Sequence, residues 1–430
     1  MGTRGRALAG AAGTAVLAVG LASGSPGATT DRGYPGHGEQ RARNVILLVG
    51  DGLSIAARDA TRLATVGQDG QLAMDSLRYA GWTYTDSADP EDAVTDSAAG
   101  ATAFAAGVRT YNGAVSVDLD GNPVTTLLER AKALRKATGL VTTSQVTDAT
   151  PAAFGAHVPD RGDQSEIARQ YVEETRPDVI LGGGEDWWYP VGDEGVFDPP
   201  EDDPAEISKS TIGNLVEQAQ DTGYTYVSSA EELAATDADR ILGLFANEEM
   251  FQQRPEGEGD VYEPLVPLVD MTAKALDVLS RDRHGFFLVV EEEAIDEFAH
   301  QNNAERTIQA GQSLDETVAL AQEFAAHHRG TLVLVVGDHE TGGLAIENVD
   351  PDDESGDPAN PSADVTQSLE DGPFTIAGSD LQFTVDWTTG GHTGAATPLT
   401  AEGPGAERLA RAQDATDVHD VVADLMQRRW

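Results

Sequence analysis

Six short, largely apolar runs dominate the pattern of hydrophobic and polar positions along the chain. They are Asn44–Val49, Gly139–Thr143, Asp178–Leu181, Ile241–Phe245, Gly285–Val290 and Thr331–Val336. Continuous apolar runs of this length are typical of strands that are buried on both faces. Segments with helical periodicity lie between them, such as Val124–Leu134 and Leu268–Leu279. The alternation predicts an α/β protein with three layers, in which helices cover both faces of a large, mostly parallel sheet.

Acidic residues and one histidine stand where several of these predicted strands end. Asp51 follows the first run, Glu291 follows the run Gly285–Val290, and Asp338-His339 follow the last run. The carboxyl ends of parallel strands meet at one edge of a sheet, which is where α/β folds bind their ligands. We therefore expect these side chains to converge. Taken alone, Asp51 fits a helix N-cap equally well.

Further candidate ligands lie on loops and on one helical turn. Asp148, Thr150 and Arg161 follow the run Gly139–Thr143, although a surface salt bridge is the commoner role of an arginine. Asp296 and His300 are four residues apart, so they share a helical face and form either a metal site or an i,i+4 charge pair. His392 is flanked by glycines in Gly390-Gly391-His392-Thr393-Gly394, which leaves it open to a ligand. A turn histidine without a ligand is the alternative.

The segment Thr95-Asp96-Ser97-Ala98-Ala99 places one serine at the head of an alanine-rich stretch that ends near Gly107. This composition predicts a helix that begins close to Ser97. The first backbone N–H groups of a helix are unpaired and its dipole is positive there, so the position suits a phosphate group. An ordinary N-cap serine is the alternative. The turn sequences Tyr111-Asn112-Gly113 and Asp120-Gly121-Asn122 predict a short hairpin over Ala114–Leu119.

The net charge of the chain excludes some classes of binding partner. The chain has 430 residues, with 28 lysines and arginines against 73 aspartates and glutamates, a formal net charge of −45. Such an acidic protein repels nucleic acid, and salt should relieve its self-repulsion, which makes a salt-adapted protein plausible. The chain has no cysteine, so any metal must bind to His, Asp or Glu, as zinc and magnesium do. Acids that converge in one crevice repel each other unless cations neutralise them, and this set suits two zinc ions and one magnesium ion.

The N-terminal sequence predicts that the protein is exported from the cytoplasm. Residues 1–28 combine Arg4 and Arg6 with the apolar stretch Ala7–Leu21, the pattern of a secretory signal peptide, so we expect a secreted or periplasmic protein. Residues 29–43 are polar and rich in glycine, which predicts a disordered leader. Residues 44–430 are predicted to form the catalytic domain, with 347–385 as an acidic inserted surface or cap segment. The sequence predicts no membrane span once the signal peptide is removed.

The order of the motifs resembles the alkaline phosphatase family from about Asn44 to the C-terminus. The motifs that carry the resemblance are Val49-Gly50-Asp51-Gly52, Thr95-Asp96-Ser97-Ala98-Ala99, Asp148-Ala149-Thr150-Pro151-Ala152-Ala153, His157 through Arg161, Val290-Glu291 with Ile295-Asp296 and His300, Gly337-Asp338-His339, and Gly391-His392-Thr393. The resemblance implies an alkaline-phosphatase-like fold and hydrolysis of small phosphate monoesters. It leaves the choice between a monomer and a homodimer open.

Residue by residue, the resemblance implies that Ser97 is the nucleophile and forms a phosphoserine intermediate. It implies that Arg161 clamps the phosphoryl oxygens and that Asp96 orients Arg161. The implied metal ligands fall into three sets: Asp296, His300 and His392 for one zinc ion; Asp51, Asp338 and His339 for the second; and Asp51, Thr150 and Glu291 for magnesium, with Asp148 reaching it through water.

Two other readings of the same residues stay open at this point. A phosphodiesterase or a sulfatase of the same superfamily is the nearest alternative, and a non-catalytic acidic protein that binds cations is the more distant one. The chain also departs from the family at Glu297, where some members carry lysine or histidine. A carboxylate there should repel a bound phosphate and speed its release.

Overall fold

The computed structural model describes residues 41–197, 207–251, 261–349 and 371–427. In these ranges the strands are β1 (Asn44–Gly50), β2 (Tyr79–Tyr84), β3 (Ala137–Gln145), β4 (Val179–Gly183), β5 (Thr225–Val227), β6 (Ile241–Leu244), β7 (Phe286–Glu292), β8 (Thr331–Gly337), β9 (Glu340–Thr341), β10 (Ala345–Asn348), β11 (Asp371–Thr375), β12 (Gln382–Asp386), β13 (His392–Thr393), β14 (Thr397–Glu402) and β15 (Ala412–Asp414). All six strands predicted from the apolar runs are present.

The helices of the same residues are α1 (Ile55–Thr65), α2 (Ala73–Ser76), α3 (Ser97–Ala106), α4 (Leu127–Ala133), α5 (Ala149–Gly155), α6 (Gln164–Gln170), α7 (Leu215–Asp221), α8 (Ala230–Ala235), α9 (Leu268–Leu279), α10 (Ala294–His300), α11 (Ala304–His327) and α12 (Ala415–Met426). A π-helical turn, Tyr171–Thr175, continues α6, and 3-10 turns cover Glu185–Trp187 and Ala406–Leu409. No helix in the described ranges is both long enough and apolar enough to cross a bilayer.

Ten strands form one sheet in the order β15-β2-β14-β8-β1-β7-β3-β4-β6-β5. Seven of its neighbouring pairs are parallel, and β14 is antiparallel to both β2 and β8. The central strands β8, β1 and β7 are fully buried, which agrees with their continuous apolar sequences. The prediction of a large, mostly parallel sheet is confirmed.

The hydrophobic core is divided by this sheet into two layers. Val45, Leu47 and Val49 of β1 face a layer that includes α3, α4, α5, α6 and α12, while Ile46 and Leu48 face α1, α9, α10 and α11. Alternation along a strand sends successive side chains to opposite faces, so each central strand contributes to both cores. The result is the predicted three-layer α/β/α arrangement.

The small segments around the sheet differ more from the predictions. The hairpin predicted over Ala114–Leu119 is wrong, because Val115 pairs with Val158 in an isolated bridge and Val117 pairs with Pro123. Part of the predicted insertion is a three-stranded antiparallel sheet, β10-β12-β11, and its residues 350–370 lie outside the described residues. The predicted signal peptide lies outside them too. The end of the predicted leader is bonded to the body, since Ala42 N donates to Leu425 O at 3.0 Å.

Candidate active site

Three neighbouring strands bring acidic side chains to one edge of the sheet at the same level. Gly50 of β1 is aligned with Glu292 of β7 and with Gly337 of β8. The residues that follow, Asp51 and Asp338, therefore leave the sheet side by side, close to Glu291. All three acidic side chains are buried.

The serine predicted as nucleophile lies on a helix that packs over this edge. α3 begins at Ser97, and Asp96 is its N-cap, with Oδ1 accepting a hydrogen bond from Ala99 N at 3.0 Å. The cap therefore belongs to Asp96, which leaves the Ser97 hydroxyl available for chemistry. The helix ends at Gly107, whose φ of 72° is the left-handed conformation expected of a glycine C-cap.

Ser97 directly faces the end of β8. Its Oγ lies 3.0 Å from Nε2 of His339. A Cβ built on Gly100, one turn along α3, would lie 3.3 Å from the carbonyl oxygen of Asp338, which is tighter than ordinary contact. A glycine at this position therefore lets the helix approach β8 closely enough to bring Ser97 to His339.

Asp51, Asp338 and His339 form the first candidate metal cluster, with one ligand atom of each within 4.8 Å of the others. His339 Nε2 lies 3.2 Å from Asp51 Oδ1 and 3.5 Å from Asp338 Oδ2. These two carboxylate oxygens are buried and receive no hydrogen bond. Burial and the neighbouring carboxylates raise the pKa of both aspartates, because like charges this close disfavour ionisation.

His339 itself is held in the neutral form. Burial, followed by the charge of His392, lowers the pKa of His339 to about 3. Its ring stacks on that of His392, with centroids 3.7 Å apart. A neutral imidazole keeps one ring nitrogen with a free lone pair, and the two aspartate oxygens beside it receive no hydrogen bond. Imidazole nitrogen and carboxylate oxygens are the ligands that a divalent cation prefers, and its binding would displace the protons that burial favours on the aspartates.

Asp296, His339 and His392 form the second candidate metal cluster, and the predicted ligand His300 lies against it. His300 Nε2 lies 3.1 Å from Asp296 Oδ2 and 3.1 Å from His392 Nε2. His392 Nε2 lies 3.7 Å from Asp296 Oδ1. Burial opposes the charge of Asp296, but its hydrogen bonds to His300 and His392 outweigh burial and lower its pKa.

Backbone carbonyls fix the orientation of the imidazoles of His300 and His392. Nδ1 of His300 lies 2.8 Å from Gly390 O, and Nδ1 of His392 lies 3.0 Å from Thr95 O. A carbonyl can only accept, so each Nδ1 carries a proton, and each Nε2 is the ring atom that faces Asp296 and the other ring. This is the arrangement in which metal-binding histidines are usually held.

A short two-stranded ladder delivers His392 to the site. β13 pairs with β9 so that His392 is opposite Thr341 and Thr393 is opposite Glu340. The buried Glu340 carboxylate accepts hydrogen bonds from the Thr393 hydroxyl and from Leu344 N. The hydroxyl of Thr341 donates to Asp296 Oδ1 and lies 3.3 Å from Nδ1 of His339.

The residues predicted for magnesium lie on the other side of Asp51. Glu291 Oε2 accepts a hydrogen bond from Thr142 Oγ1 at 2.5 Å. Glu291 Oε1 and Thr150 Oγ1 are both buried without a hydrogen-bond partner. Burial and the charges of Asp148 and Asp338 raise the pKa of Glu291. Unpartnered buried oxygens of this kind fit a hard cation with oxygen ligands.

Arg161 provides positive charge at the mouth of the site. Its Nη2 donates to both carboxylate oxygens of Asp148, at 2.8 and 2.9 Å, and Nη1 lies 3.5 Å from Asp96 Oδ2. Burial disfavours the guanidinium charge, but these carboxylates outweigh burial and raise the pKa of Arg161. Asp148 therefore contacts Arg161 directly.

Five of the predicted residues lie in two candidate clusters that share His339: Asp51, Asp296, Asp338, His339 and His392. The residues that the sequence analysis missed are the hydroxyls and carbonyls behind them: Thr142, Thr341, Thr393, Glu340 and the carbonyl of Thr95. Only Glu340 and Thr341 carried a local signal, since they directly follow Asp338-His339 in the chain.

Comparison with known proteins finds similar sequences along nearly the whole chain. The family model of alkaline phosphatase matches residues 42–428. The chain is similar to alkaline phosphatase 3 of Bacillus subtilis, with 31% identity over 95% of this chain and 94% of the relative. It is also similar to streptomycin-6-phosphate phosphatase of Streptomyces griseus, with 36% identity over 91% of this chain and 92% of the relative.

Solved structures agree in fold. A cold-active alkaline phosphatase from Shewanella sp. superimposes with a TM-score of 0.72 and 27% identity, over 90% of this chain and 100% of the other. The alkaline phosphatase of Thermus thermophilus has a TM-score of 0.72 and 26% identity, over 90% of this chain and 91% of the other.

Proposed function

This chain belongs to the alkaline phosphatase family, and we propose that it hydrolyses phosphate monoesters through a phosphoserine intermediate at Ser97, with two zinc ions and one magnesium ion. The observation that carries the proposal is the position of the Ser97 hydroxyl. It stands at the start of a buried helix, 3.0 Å from His339, the histidine that the two candidate metal clusters share.

The residues fit the three ions for reasons that can be stated from their own chemistry. One zinc ion would bind to Asp296, His300 and His392, where two imidazole nitrogens face each other. The second would bind to Asp51, Asp338 and His339, where two buried carboxylate oxygens receive no hydrogen bond. Magnesium would bind to Asp51, Thr150 and Glu291, with Asp148 as an outer partner. When bound, the ions lower the pKa of the Ser97 hydroxyl and neutralise charge on the phosphoryl group and on the leaving alcohol.

In the reaction at phosphorus, the main contribution of the chain is to hold the reacting groups in position. Ser97 Oγ attacks phosphorus in line with the ester oxygen, forming one O–P bond as the other breaks. The hydroxyl proton of Ser97 passes to solvent, and the ester oxygen takes up a proton from solvent and leaves as an alcohol. Water then attacks the phosphoserine on the opposite face, which releases inorganic phosphate and returns the serine. Two inversions leave the configuration at phosphorus unchanged. The positive end of the α3 dipole, at Ser97, stabilises the negative oxygens throughout.

Arg161 decides the class of ester in this proposal. A guanidinium presents two parallel N–H donors, which match two non-bridging oxygens of a dianionic phosphoryl group. Asp148 and Asp96 keep the guanidinium in place. A diester has one fewer charged oxygen and a sulfate ester carries a single charge, so both gain less from this side chain.

The test uses three chromogenic esters of the same phenol: a phosphate monoester, a phosphate diester and a sulfate monoester, at alkaline pH, with and without EDTA. We expect hydrolysis of the monoester to exceed the other two and to stop with EDTA. Elemental analysis should find zinc and magnesium in a ratio near two to one. Ser97→Ala should remove turnover while retaining the metals. Turnover that survives Ser97→Ala would exclude the phosphoserine route, and a preference for the diester or the sulfate would reassign the substrate.

The cellular location and assembly are also part of this proposal. From the signal peptide predicted over residues 1–28 we propose that the protein acts outside the cytoplasm, and N-terminal sequencing of the mature protein tests this. Sedimentation of the purified protein decides between a monomer and a homodimer.

A further inference from the structure

The Asn112-Gly113 turn has a place in the structure that the hairpin prediction did not anticipate. It lies beside the start of α3 and contacts Val94 and Asp96, in the segment that leads to the candidate nucleophile. Gly113 has a φ of 84°, so a glycine is needed for the turn itself. Asn112 is not among the described residues with positive φ. The usual reason for asparagine in a turn, its tolerance of the left-handed conformation, therefore does not account for Asn112.

The side chain of Asn112 holds the segment that leads into α3. Its Nδ2 donates to Val94 O at 2.8 Å, and its Oδ1 accepts from Asp96 N at 3.3 Å. These two bonds bracket Thr95, whose carbonyl oxygen orients the ring of His392. The backbone N–H of Asn112 is itself fixed, because it donates to Asp89 Oδ2 at 3.0 Å.

The next peptide group links this segment to the arginine. Gly113 N donates to Asp96 Oδ2 at 2.9 Å, and Gly113 O accepts from Arg161 N at 2.8 Å. Arg161 Nη1 returns to the same Asp96 oxygen at 3.5 Å. Asp96, Gly113 and Arg161 therefore form a closed ring of contacts around the start of the nucleophile helix.

We propose that Asn112 is a positioning residue that sets the guanidinium of Arg161 at a fixed distance from the hydroxyl of Ser97. The inference rests on the proposed function and deepens it. Asn112 holds Val94–Asp96, Asp96 caps the helix that carries Ser97, and Gly113 ties the backbone of Arg161 to that cap. The substrate it serves is the phosphoryl group that must contact Ser97 and Arg161 at once.

Removing the Asn112 side chain should loosen this geometry without removing any group that contacts phosphate. Misplacement of reacting groups by about 1 Å can cost roughly 100-fold in rate. We expect Asn112→Ala to lower kcat/KM by about 10- to 100-fold and to raise the inhibition constant of inorganic phosphate by about fivefold. The zinc and magnesium content should not change, since Asn112 contacts none of the candidate ligand atoms that the structure describes.

The matched control is Asn122→Ala. Asn122 lies in the turn at the other end of the same loop and bonds only to Asp118 through its side chain in the described contacts. It should behave as the unmodified enzyme. Asn112→Ser, whose shorter side chain cannot reach both Val94 O and Asp96 N, should give an intermediate effect and serves if Asn112→Ala does not fold.

A double-mutant comparison on the metal-loaded enzyme decides the inference, with inorganic phosphate as the probe. If Asn112 acts through Arg161, Asn112→Ala should change the phosphate inhibition constant less than about twofold in an Arg161→Ala background. If the two substitutions change the phosphate inhibition constant independently, so that their fold-changes multiply, the positioning role is overturned. It is also overturned if Asn112→Ala lowers only the melting temperature and the metal content. If the unmodified enzyme and Asn122→Ala both fail to hydrolyse a monoester, the proposed function fails and this inference fails with it.

Discussion

Nε2 of His300 lies 3.1 Å from Nε2 of His392, and Nδ1 of each ring lies within hydrogen-bond distance of a backbone carbonyl. Each Nδ1 proton is committed to its carbonyl, so the two Nε2 atoms face each other and the carboxylate of Asp296. Two neutral rings would set their Nε2 lone pairs against each other, and a proton or a cation held at Nε2 relieves that repulsion. Burial opposes protonation of His300, but Asp296 outweighs it and raises the pKa of His300 to about 9. A proton and a divalent cation therefore compete for the same place.

Removal of metal should destabilise the whole domain. The ligands come from β1, β7, β8 and α10, so ions that bind only the folded state stabilise it by about 4 kcal/mol each at 1,000 times their dissociation constants. We expect EDTA to lower the melting temperature by about 10 °C or more. Calorimetry with and without EDTA measures the shift. Zinc and magnesium added back should restore the original value, and a melt that EDTA leaves unchanged would contradict a metal centre built into the fold.

Thr393→Val should weaken the hold on zinc without touching a ligand. The substitution keeps the shape of the side chain and removes the hydroxyl that donates a hydrogen bond to Glu340. The strand that carries His392 therefore loses one of the contacts that hold it in place. Partners behind a ligand typically change metal affinity 10- to 100-fold, and we expect about tenfold. Competition against a coloured chelator measures the affinity. Thr393→Ser, which restores the hydroxyl, is the control, and equal affinity in both variants would show that this contact is irrelevant.

Glu297→Lys should strengthen product inhibition. Glu297 follows Asp296 on α10, and its carboxylate repels a phosphate bound at the neighbouring cluster, whereas an ammonium group attracts it. The interaction of two unit charges near a surface is about 1–4 kcal/mol at 4 Å, so we expect the phosphate inhibition constant to fall about tenfold. Glu323→Lys, on the exposed side of α11, makes the same change in net charge and controls for long-range effects. Equal inhibition of all three proteins would remove Glu297 from this role.

The contribution of the Glu129–His157 ion pair to the free energy of unfolding depends on pH. His157 Nε2 lies 3.3 Å from Glu129 Oε1. The hydrogen bond to His157 lowers the pKa of Glu129 below 4.5, and although burial opposes it, the same bond raises the pKa of His157 above 6.5. The His157 contribution is complete below 6.5 and disappears as pH rises through the raised value. The Glu129 contribution is complete above 4.5 and disappears as pH falls through the lowered value.

We therefore expect His157→Gln to lower stability by about 0.5 kcal/mol between pH 4.5 and 6.5. The difference should shrink in alkaline buffer, where the histidine is neutral in both states. Urea unfolding at pH 5.5 and pH 10 measures it. A difference that is the same at both pH values would mean that packing, and not charge, accounts for the effect.

The parts of the fold that the sequence predicted are those with a strong local cause. The apolar runs became buried strands, and Leu268–Leu279 became α9 with the predicted bounds, because its apolar face repeats at helical spacing. The hairpin over Ala114–Leu119 failed because Val115 finds its partner at Val158, which no local pattern discloses. The strand-end acids and His339 could be proposed for one crevice, since parallel strands place their carboxyl ends together.

The layer behind the candidate ligands could not be predicted in this way. Thr142 lies inside a strand and Thr393 lies in a glycine-rich turn, and neither position differs in sequence from an ordinary threonine. Their partners, Glu291 and Glu340, are more than 50 residues away in the chain. Such contacts depend on how strands and turns pack in three dimensions.

The paired strands β10 and β12, which flank the acidic segment, make the geometry of the candidate active site independent of the length of that segment. β10 (Ala345–Asn348) pairs with β12 (Gln382–Asp386), and His392 lies a few residues further on, in the separate pairing of β13 with β9. Chain added or deleted between residues 349 and 371 would be absorbed beyond these strands, without shifting the imidazole. The stretch between residues 349 and 371 is therefore the natural graft point for an engineer who wants to fuse a reporter or an affinity module while keeping turnover intact.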